Sequence, residues 1–303
     1  MCPNADSGTL QLLAWQSIYT AAPLARLNAN APGSNLTPID ISALMSLCGF
    51  EVVAKERPSP ICHLFNQNEF DGFGYFGDLS TFYGTGWVGA EEVEAHDLFS
   101  CIHRYGQELG PVQGIGYVNE LIARLTNQPV RDNTQTNRTL DSSPITFPLD
   151  RTIYADFSHD SALIAIYSAL GLFRQPQTLE PTRPDPRRTW ITSELVPFAG
   201  RLVTERLTCE RKGKTGFFVR MIVNDALQDL SLCGAGKDGL CAVSDFVQSQ
   251  TFATGDGEDL FERCFSWLYY GYPVLLQGDL WDRPIWTCFI MVICSIKCFS
   301  LLR

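Results

Sequence analysis

The run Thr152-Ile-Tyr-Ala-Asp-Phe-Ser-His159-Asp160 constrains the fold more than any other stretch of this chain. Its first residues are β-prone. Directly after it, Leu163, Ile164, Ile166, Tyr167 and Leu170 recur at helical spacing, and Gly171 stands where a C′ glycine belongs. His159 and Asp160 therefore fall at a strand-to-helix junction. There the first-turn amides point out of the helix and favour an anion. An imidazole and a carboxylate side by side at such a place suit phosphate chemistry: His can hold a phosphate oxygen, and Asp can give a proton to a leaving group. The same residues have a plainer use, because Ser158 or Asp160 can simply cap the helix.

With 303 residues, the chain has room for one large or two modest domains, and 45% hydrophobic against 18% charged residues indicates a globular protein. A formal charge of −10 argues against nucleic acid as a partner. A polyanionic substrate would need a local cluster of Arg and Lys set against that field. The eleven cysteines include no Cys-x-x-Cys, and His63, His96, His103 and His159 show no metal-ligand spacing. We therefore expect no metal and no cofactor, but disulfides and an oxidising compartment. Asn35-Leu-Thr37 and Asn137-Arg-Thr139 are glycosylation sequons that fit secretion. Met1-Cys-Pro-Asn-Ala-Asp-Ser7 has no basic region and no long apolar run, so no signal peptide is read here, and a start upstream of Met1 is expected.

In chain order, 9–27 reads as an amphipathic helix. Thr37-Pro-Ile-Asp40 reads as the N-terminal signal of a helix through Leu47, and Cys48 and Cys62 bracket a loop. Residues 62–83 are helical where Phe65, Phe70, Phe73 and Phe76 recur. Residues 112–126 run from a loop into a helix, with Glu120 and Arg124 read as a solvated i,i+4 pair. A strand is expected over 151–157, an exposed Pro- and Arg-rich loop over 174–190, and strands over 194–208 and 216–224. Arg187-Arg188 is read as solvated rather than as an anion site. A last helical stretch begins at Asp245.

Tyr154-Ala-Asp-Phe-Ser-His-Asp160, with its apolar helix ending Ala169-Leu-Gly-Leu172, resembles the second active-site motif of the histidine acid phosphatases, and of the fungal phytase type in particular. Leu109-Gly-Pro-Val-Gln-Gly-Ile-Gly-Tyr117, Asn119-Glu-Leu-Ile-Ala-Arg-Leu-Thr126 and Thr139-Leu-Asp-Ser-Ser-Pro144 are similar to that family in the same order. The resemblance runs from Cys2 to about Phe265 and corresponds to the C-terminal half to two-thirds of a member. It implies an α/β fold with a mixed sheet, flanking helices and a smaller α-helical domain: the phosphoglycerate mutase-like histidine phosphatase fold, here N-terminally incomplete. On that reading, about 1–126 form the mostly helical part, with an atypical insertion at 84–104. About 127–267 return to the α/β part, and 268–303 form a non-family tail.

The resemblance further implies phosphomonoester hydrolysis through a phosphohistidine, without a metal, with phytate the favoured substrate and an extracellular setting. Asp160 matches the proton donor and His159 the phosphate-binding histidine. The nucleophilic histidine of an Arg-His-Gly-x-Arg-x-Pro motif has no counterpart in the 303 residues, so the chain is expected to be inactive alone. By the same resemblance Cys2 pairs with Cys264, Cys48 with Cys62 and Cys233 with Cys241. Cys209 matches a cysteine whose partner lies in the absent portion. Two further readings stand beside this one: a non-catalytic binder of a phosphorylated ligand, and a membrane-tethered interaction protein using the apolar run 285–296. That run is twelve residues long, short of the roughly 18–20 a span needs, which disfavours a membrane partner and favours an erroneous reading-frame extension.

Overall fold

The computed structural model describes residues 8–85, 87–88, 104–106, 109–175, 177–211, 214–265 and 289–297. Four helices come first: α1 (Thr9–Tyr19), α2 (Ala21–Asn30), α3 (Pro38–Lys55) and α4 (Gln67–Thr85). The single helix expected over 9–27 is two, broken at Thr20, whose buried hydroxyl bonds back to the Gln16 carbonyl at 2.6 Å. The helix expected to Leu47 runs on to Lys55, so the first part of the segment between Cys48 and Cys62 is helix, not loop. Its start is as read: Thr37 and Asp40 form a reciprocal capping box. Trp15 bonds to the Gly72 carbonyl at 2.7 Å and meets Tyr75 edge-on, joining α1 to α4.

Two short strands, β1 (Trp87–Val88) and β2 (Arg104–Tyr105), pair antiparallel. This ladder joins residues near the two ends of the expected insertion 84–104, whose interior lies outside the described residues. A 3₁₀ turn (Pro111–Gly114) leads into α5 (Ile115–Thr126), then the one-turn α6 (Arg138–Asp141), β3 (Ile153–Ser158) and α7 (Asp160–Leu170). Every residue of α7 from Leu163 to Leu170 is buried, as in a helix surrounded by protein. Among its neighbours is the 3₁₀ turn, where a Cβ on Gly114 would stand 2.4 Å from the Ala165 carbonyl oxygen. At the other end Gly171 takes the left-handed φ of 77° and its amide caps the helix.

The strand expected over 194–208 begins later. Thr192–Leu195 is a helical turn (α8), and Pro197 to Gly200 is a turn with Ala199 at φ 58°, before β4 (Arg201–Arg211). β5 (Lys214–Val223) follows, with Val219, Met221 and Val223 buried, as its alternation predicts. β6 (Ala226–Leu227), β7 (Cys241–Ala242), α9 (Val243–Ser249), α10 (Thr251–Thr254) and α11 (Leu260–Arg263) complete the body, and β8 (Phe289–Lys297) is the last described element.

The sheet has the order β3-β8-β4-β5-β6, with β7 also on β5. It is mixed: β8 is antiparallel to β3 and parallel to β4, and β4 and β5 form a long antiparallel pair. The segment 289–297, read from sequence as tail, is thus a strand inside the sheet. Among the described residues no helix is long and apolar enough to cross a membrane. Arg206 of β4 bonds to the Leu125 carbonyl at 2.8 Å, fixing α5 against one face of the sheet. On the other face Ile153 and Phe157 of β3 are 60% and 68% exposed. One cluster of buried residues runs from Trp15 to Cys264.

Candidate active site

His159 and Asp160 stand where the sequence places them. β3 ends at Ser158, His159 takes extended backbone angles as the residue preceding α7, and its carbonyl accepts the Leu163 amide at 2.9 Å. Both side chains are exposed. Asp160 Oδ1 accepts the Ser161 amide at 2.7 Å, in the first helical turn, where the macrodipole favours a negative charge. The junction therefore offers an imidazole, a carboxylic acid and a helix N-terminus to one volume of solvent. Ser158 and Ala162, on either side of the pair in sequence, line a cavity of about 310 Å³ together with Gln113, Tyr117, Glu120 and Ile166.

The geometry beneath the pair was not foreseen. Arg124 does not lie in solvent. Its side chain is 9% exposed, it donates to Asp156 Oδ2 at 2.5 Å, and its guanidinium lies 4.8 Å from the Phe147 ring centre and 5.0 Å from that of Tyr154. Asp156 is on β3, on the same face as Ser158. The strand that delivers His159 is thus clamped to α5 by a buried cation. Glu120 lies 3.9 Å from Arg124. Burial pushes its carboxyl up to about 7, against the pull of Arg124 and with the help of Asp141, Asp156 and Asp132. Burial likewise raises the Tyr117 hydroxyl above its ordinary value. The i,i+4 reading of Glu120 and Arg124 is corrected accordingly: the spacing is right and the solvation is wrong. No local signal pointed to it: in sequence Asp156 alternates with apolar Ile153, Ala155 and Phe157 and reads as part of the strand's polar face.

Arg188 is also committed elsewhere. It bonds to Asp78 at 2.8 Å and lies 4.9 Å over Tyr75, whereas Arg187 is 86% exposed beside Asp185. The Arg187-Arg188 pair is therefore split, one residue structural and one solvated. Among the described residues no group of three or more His, Cys, Asp or Glu could hold a metal ion. Disulfides join Cys48 to Cys62 and Cys233 to Cys241. Cys264 is disulfide-bonded, and Cys2 lies outside the described residues. Cys209 is a buried thiol. Asn35 and Asn137 are exposed; Asn137 caps α6 by accepting the Thr139 and Leu140 amides.

A mixed sheet with a buried central helix, and a His-Asp pair at the strand-to-helix junction between them, is an architecture shared with a known class of phosphate-transferring enzymes. The chain belongs to the histidine phosphatase superfamily (branch 2), whose family model matches residues 2–224. Its relatives include Phytase A of Arthroderma benhamiae, 37% identical over 258 residues that cover 82% of this chain and 52% of the relative. Phytase A of Emericella nidulans is 39% identical over 248 residues, 80% of this chain and 49% of the relative. The chain thus spans about half the length of these curated relatives. The crystal structure of the phytase from D. castellii superimposes with a TM-score of 0.58 at 21% identity, over 83% of this chain and 46% of that one. The histidine phosphatase fold expected from the motifs is the fold observed.

Proposed function

We propose that this chain is the acid-base and phosphate-binding portion of a histidine acid phosphatase of phytase type, acting on phosphomonoesters. The observation that carries the reading is the exposed His159-Asp160 pair at the head of α7. His159 holds a phosphoryl oxygen beside the helix N-terminus. An imidazole nitrogen, from a nucleophile outside this sequence, bonds to phosphorus as the ester P–O bond breaks. Asp160 gives its proton to the leaving alkoxide, and water then cleaves the N–P bond to release phosphate. Phytate is the favoured ester because the curated relatives are named as phytases. The disulfides fit an oxidising, extracellular setting with sugars on Asn35 and Asn137. A Cys2–Cys264 bridge completes the proposed set.

The test is phosphate release from phytate and from an aryl phosphate at acid pH, with Asp160→Asn beside the parent chain. No Arg-His-Gly occurs in the sequence, so no turnover is expected from either protein. Phytate binding should be present in the parent and weakened by His159→Ala. Turnover that Asp160→Asn abolishes would show a nucleophile within these residues and sink the mechanism. The missing motif also favours a second reading, a non-catalytic binder of phosphorylated ligands. Full phosphate-ester binding with no turnover, even when imidazole is supplied at high concentration, would select it.

A further inference from the structure

Arg124 stands between two carboxylates on different elements. Asp156 of β3 takes the end of the guanidinium, with Oδ2 2.5 Å from Nη1 and Oδ1 3.4 Å from Nη2. Glu120, one turn back on α5, has Oε2 3.9 Å from the same Nη2, just outside hydrogen-bond reach. The adjacent donor, Nε, is buried and has no hydrogen-bond partner among the described residues. A guanidinium offers a carboxylate two forks, Nη1 with Nη2 and Nε with Nη2. Asp156 occupies the first, and the second is open beside Glu120. Nη2 belongs to both, so it cannot serve both fully. The side chain of Glu120 is 26% exposed, enough for its proton to exchange with solvent, and it lines the same 310 Å³ cavity as Ser158, the residue before His159. The groups that face it are Tyr117 and Arg124 of its own helix, Asp141 of α6, Asp156 of β3 and Asp132 of the loop between. Arg124 is the one cation among them. Burial, helped by the three aspartates, keeps the carboxyl protonated up to about pH 7. Neutral, Glu120 is a weak acceptor for a guanidinium; ionised, it is a strong one.

We propose that Glu120 is a further positioning residue of the site: its neutral form leaves Arg124 to Asp156, and its ionised form draws the Nε–Nη2 edge to itself and loosens β3 three residues before His159. The role rests on the reading of the His159-Asp160 pair as a phosphate site. The hold on β3 is full in acid and is lost as pH rises through the Glu120 transition, and binding of a phosphate ester at the pair falls with it. The element with two arrangements is the guanidinium itself, and both the proton on Glu120 and the ligand at His159 bias it.

The experiment uses the full chain, labelled with ¹³C at the side-chain carboxyl groups and ¹⁵N in histidine, with NMR spectra followed from about pH 5 to about pH 8.5. His159→Gln identifies the His159 amide among the four histidines. In the parent, the Glu120 carboxyl, the Asp156 carboxyl and one component of the His159 amide shift should move together. Glu120→Gln, which mimics the neutral acid, should remove that component, and so should Asp156→Asn, which takes away the charged acceptor on β3. A purely structural Glu120 would change the melting temperature of its variant and leave the component in place. A component that persists in either variant would overturn the proposal; persistence in Asp156→Asn would show that Glu120 acts on the site by its charge alone. An Asp156 carboxyl that stays still across the Glu120 transition of the parent would overturn it too, whether or not the variants fold. Calorimetric titration with sulfate, whose charge is constant over this range, gives the ligand arm. Between about pH 5.5 and about pH 8, sulfate affinity should fall at least about fivefold more in the parent than in Glu120→Gln, the lower end of ordinary coupling between sites. Parallel curves would overturn the proposal. No sulfate binding, with the coupled NMR shifts intact, would leave the positioning role standing and defeat only the phosphate reading of the pair.

Discussion

Arg124 reaches from helix α5 to Asp156 of strand β3, with its Nη1 2.5 Å from the carboxylate oxygen. The contact fixes the strand three residues before His159, so the position of the candidate site depends on a cation that never touches it. Two aromatic rings cover the guanidinium, and water competes poorly for it.

Removing that cation leaves the Asp156 carboxylate partly buried with no counter-charge. Arg124→Met should cost on the order of 3 kcal/mol, because breaking one partner of a buried pair strands the other. In a domain of this size the fall in Tm is about 6–12 °C. Arg124→Lys keeps the charge but not the planar fork between the rings, so it should recover only part of the loss. Thermal denaturation of the two variants, and of Arg124→Met with Asp156→Asn, checks this. The double variant should be less destabilised than the sum of the singles.

Glu120 should make stability depend on pH near neutrality. Its folded carboxyl is raised to about 7, mainly by burial, so between the unfolded value and 7 the folded state binds the extra proton. Stability from this group is then full below about 4.5 and is lost as pH rises through 7, by an amount on the order of 3 kcal/mol. Glu120→Gln should flatten that part of the curve and raise stability at pH 7. Urea midpoints across about pH 4.5 to 8 read it directly; a variant curve parallel to the parent would remove the assignment.

The His-Asp junction was legible because two periodicities meet there and a glycine closes the second. α7 could be drawn from Leu163, Ile164, Tyr167 and Leu170 alone. The clamp beneath it was not legible. Glu120 and Arg124 form the same i,i+4 pattern whether they face water or protein, and Asp156 is 32 residues from Arg124. Arg188 was misread in the same way, since Asp78 is 110 residues away. Residues 289–296 of the apolar run 285–296 belong to β8, but their partners on β3 and β4 are distant in sequence. The run's length settled only what it could not span.

Gly114 should tolerate no side chain. A methyl group there would meet the Ala165 carbonyl oxygen at 2.4 Å and Ala169 Cβ at 2.9 Å, both on buried α7. Gly114→Ala should cost about 1–3 kcal/mol, the usual penalty of overpacking. Gly116→Ala meets only side chains, at 3.2 Å and beyond, and should cost less. Denaturant midpoints of the two single variants rank them. Equal effects would mean that α7 shifts freely, contrary to its buried setting.

The bridge between Cys48 and Cys62 closes 14 residues of sequence between α3 and the turn that follows. The chain-entropy account of such a loop gives about 3 kcal/mol. Replacing both cysteines with Ser should lower the denaturant midpoint accordingly, without changing the spectrum of the folded state.

Asp132 is the most heavily bonded carboxylate among the described residues. Its Oδ2 accepts the amides of Thr134, Gln135 and Thr136, each at 3.0 Å, and its Oδ1 accepts from Asn119 and from the Thr134 hydroxyl, each at 2.8 Å. Asn119 in turn donates to the Ala253 carbonyl, so one carboxylate joins the loop, α5 and α10. Burial works to raise its pKa, but the bonds outweigh it and hold the carboxyl below the ordinary aspartate range. A depressed folded value means that its stabilisation is present above the unfolded value of about 3.9 and is lost as pH falls through the folded one. Asp132→Ala should cost about 2–4 kcal/mol at neutral pH, since five donors lose their acceptor. Asp132→Asn should be nearly as costly, because its amide nitrogen would face the donor on Asn119. The gap between parent and Asp132→Asn, read from urea midpoints at about pH 7 and about pH 3, should narrow in acid. A gap that stays constant would show that the charge of Asp132 contributes nothing and that only its shape matters.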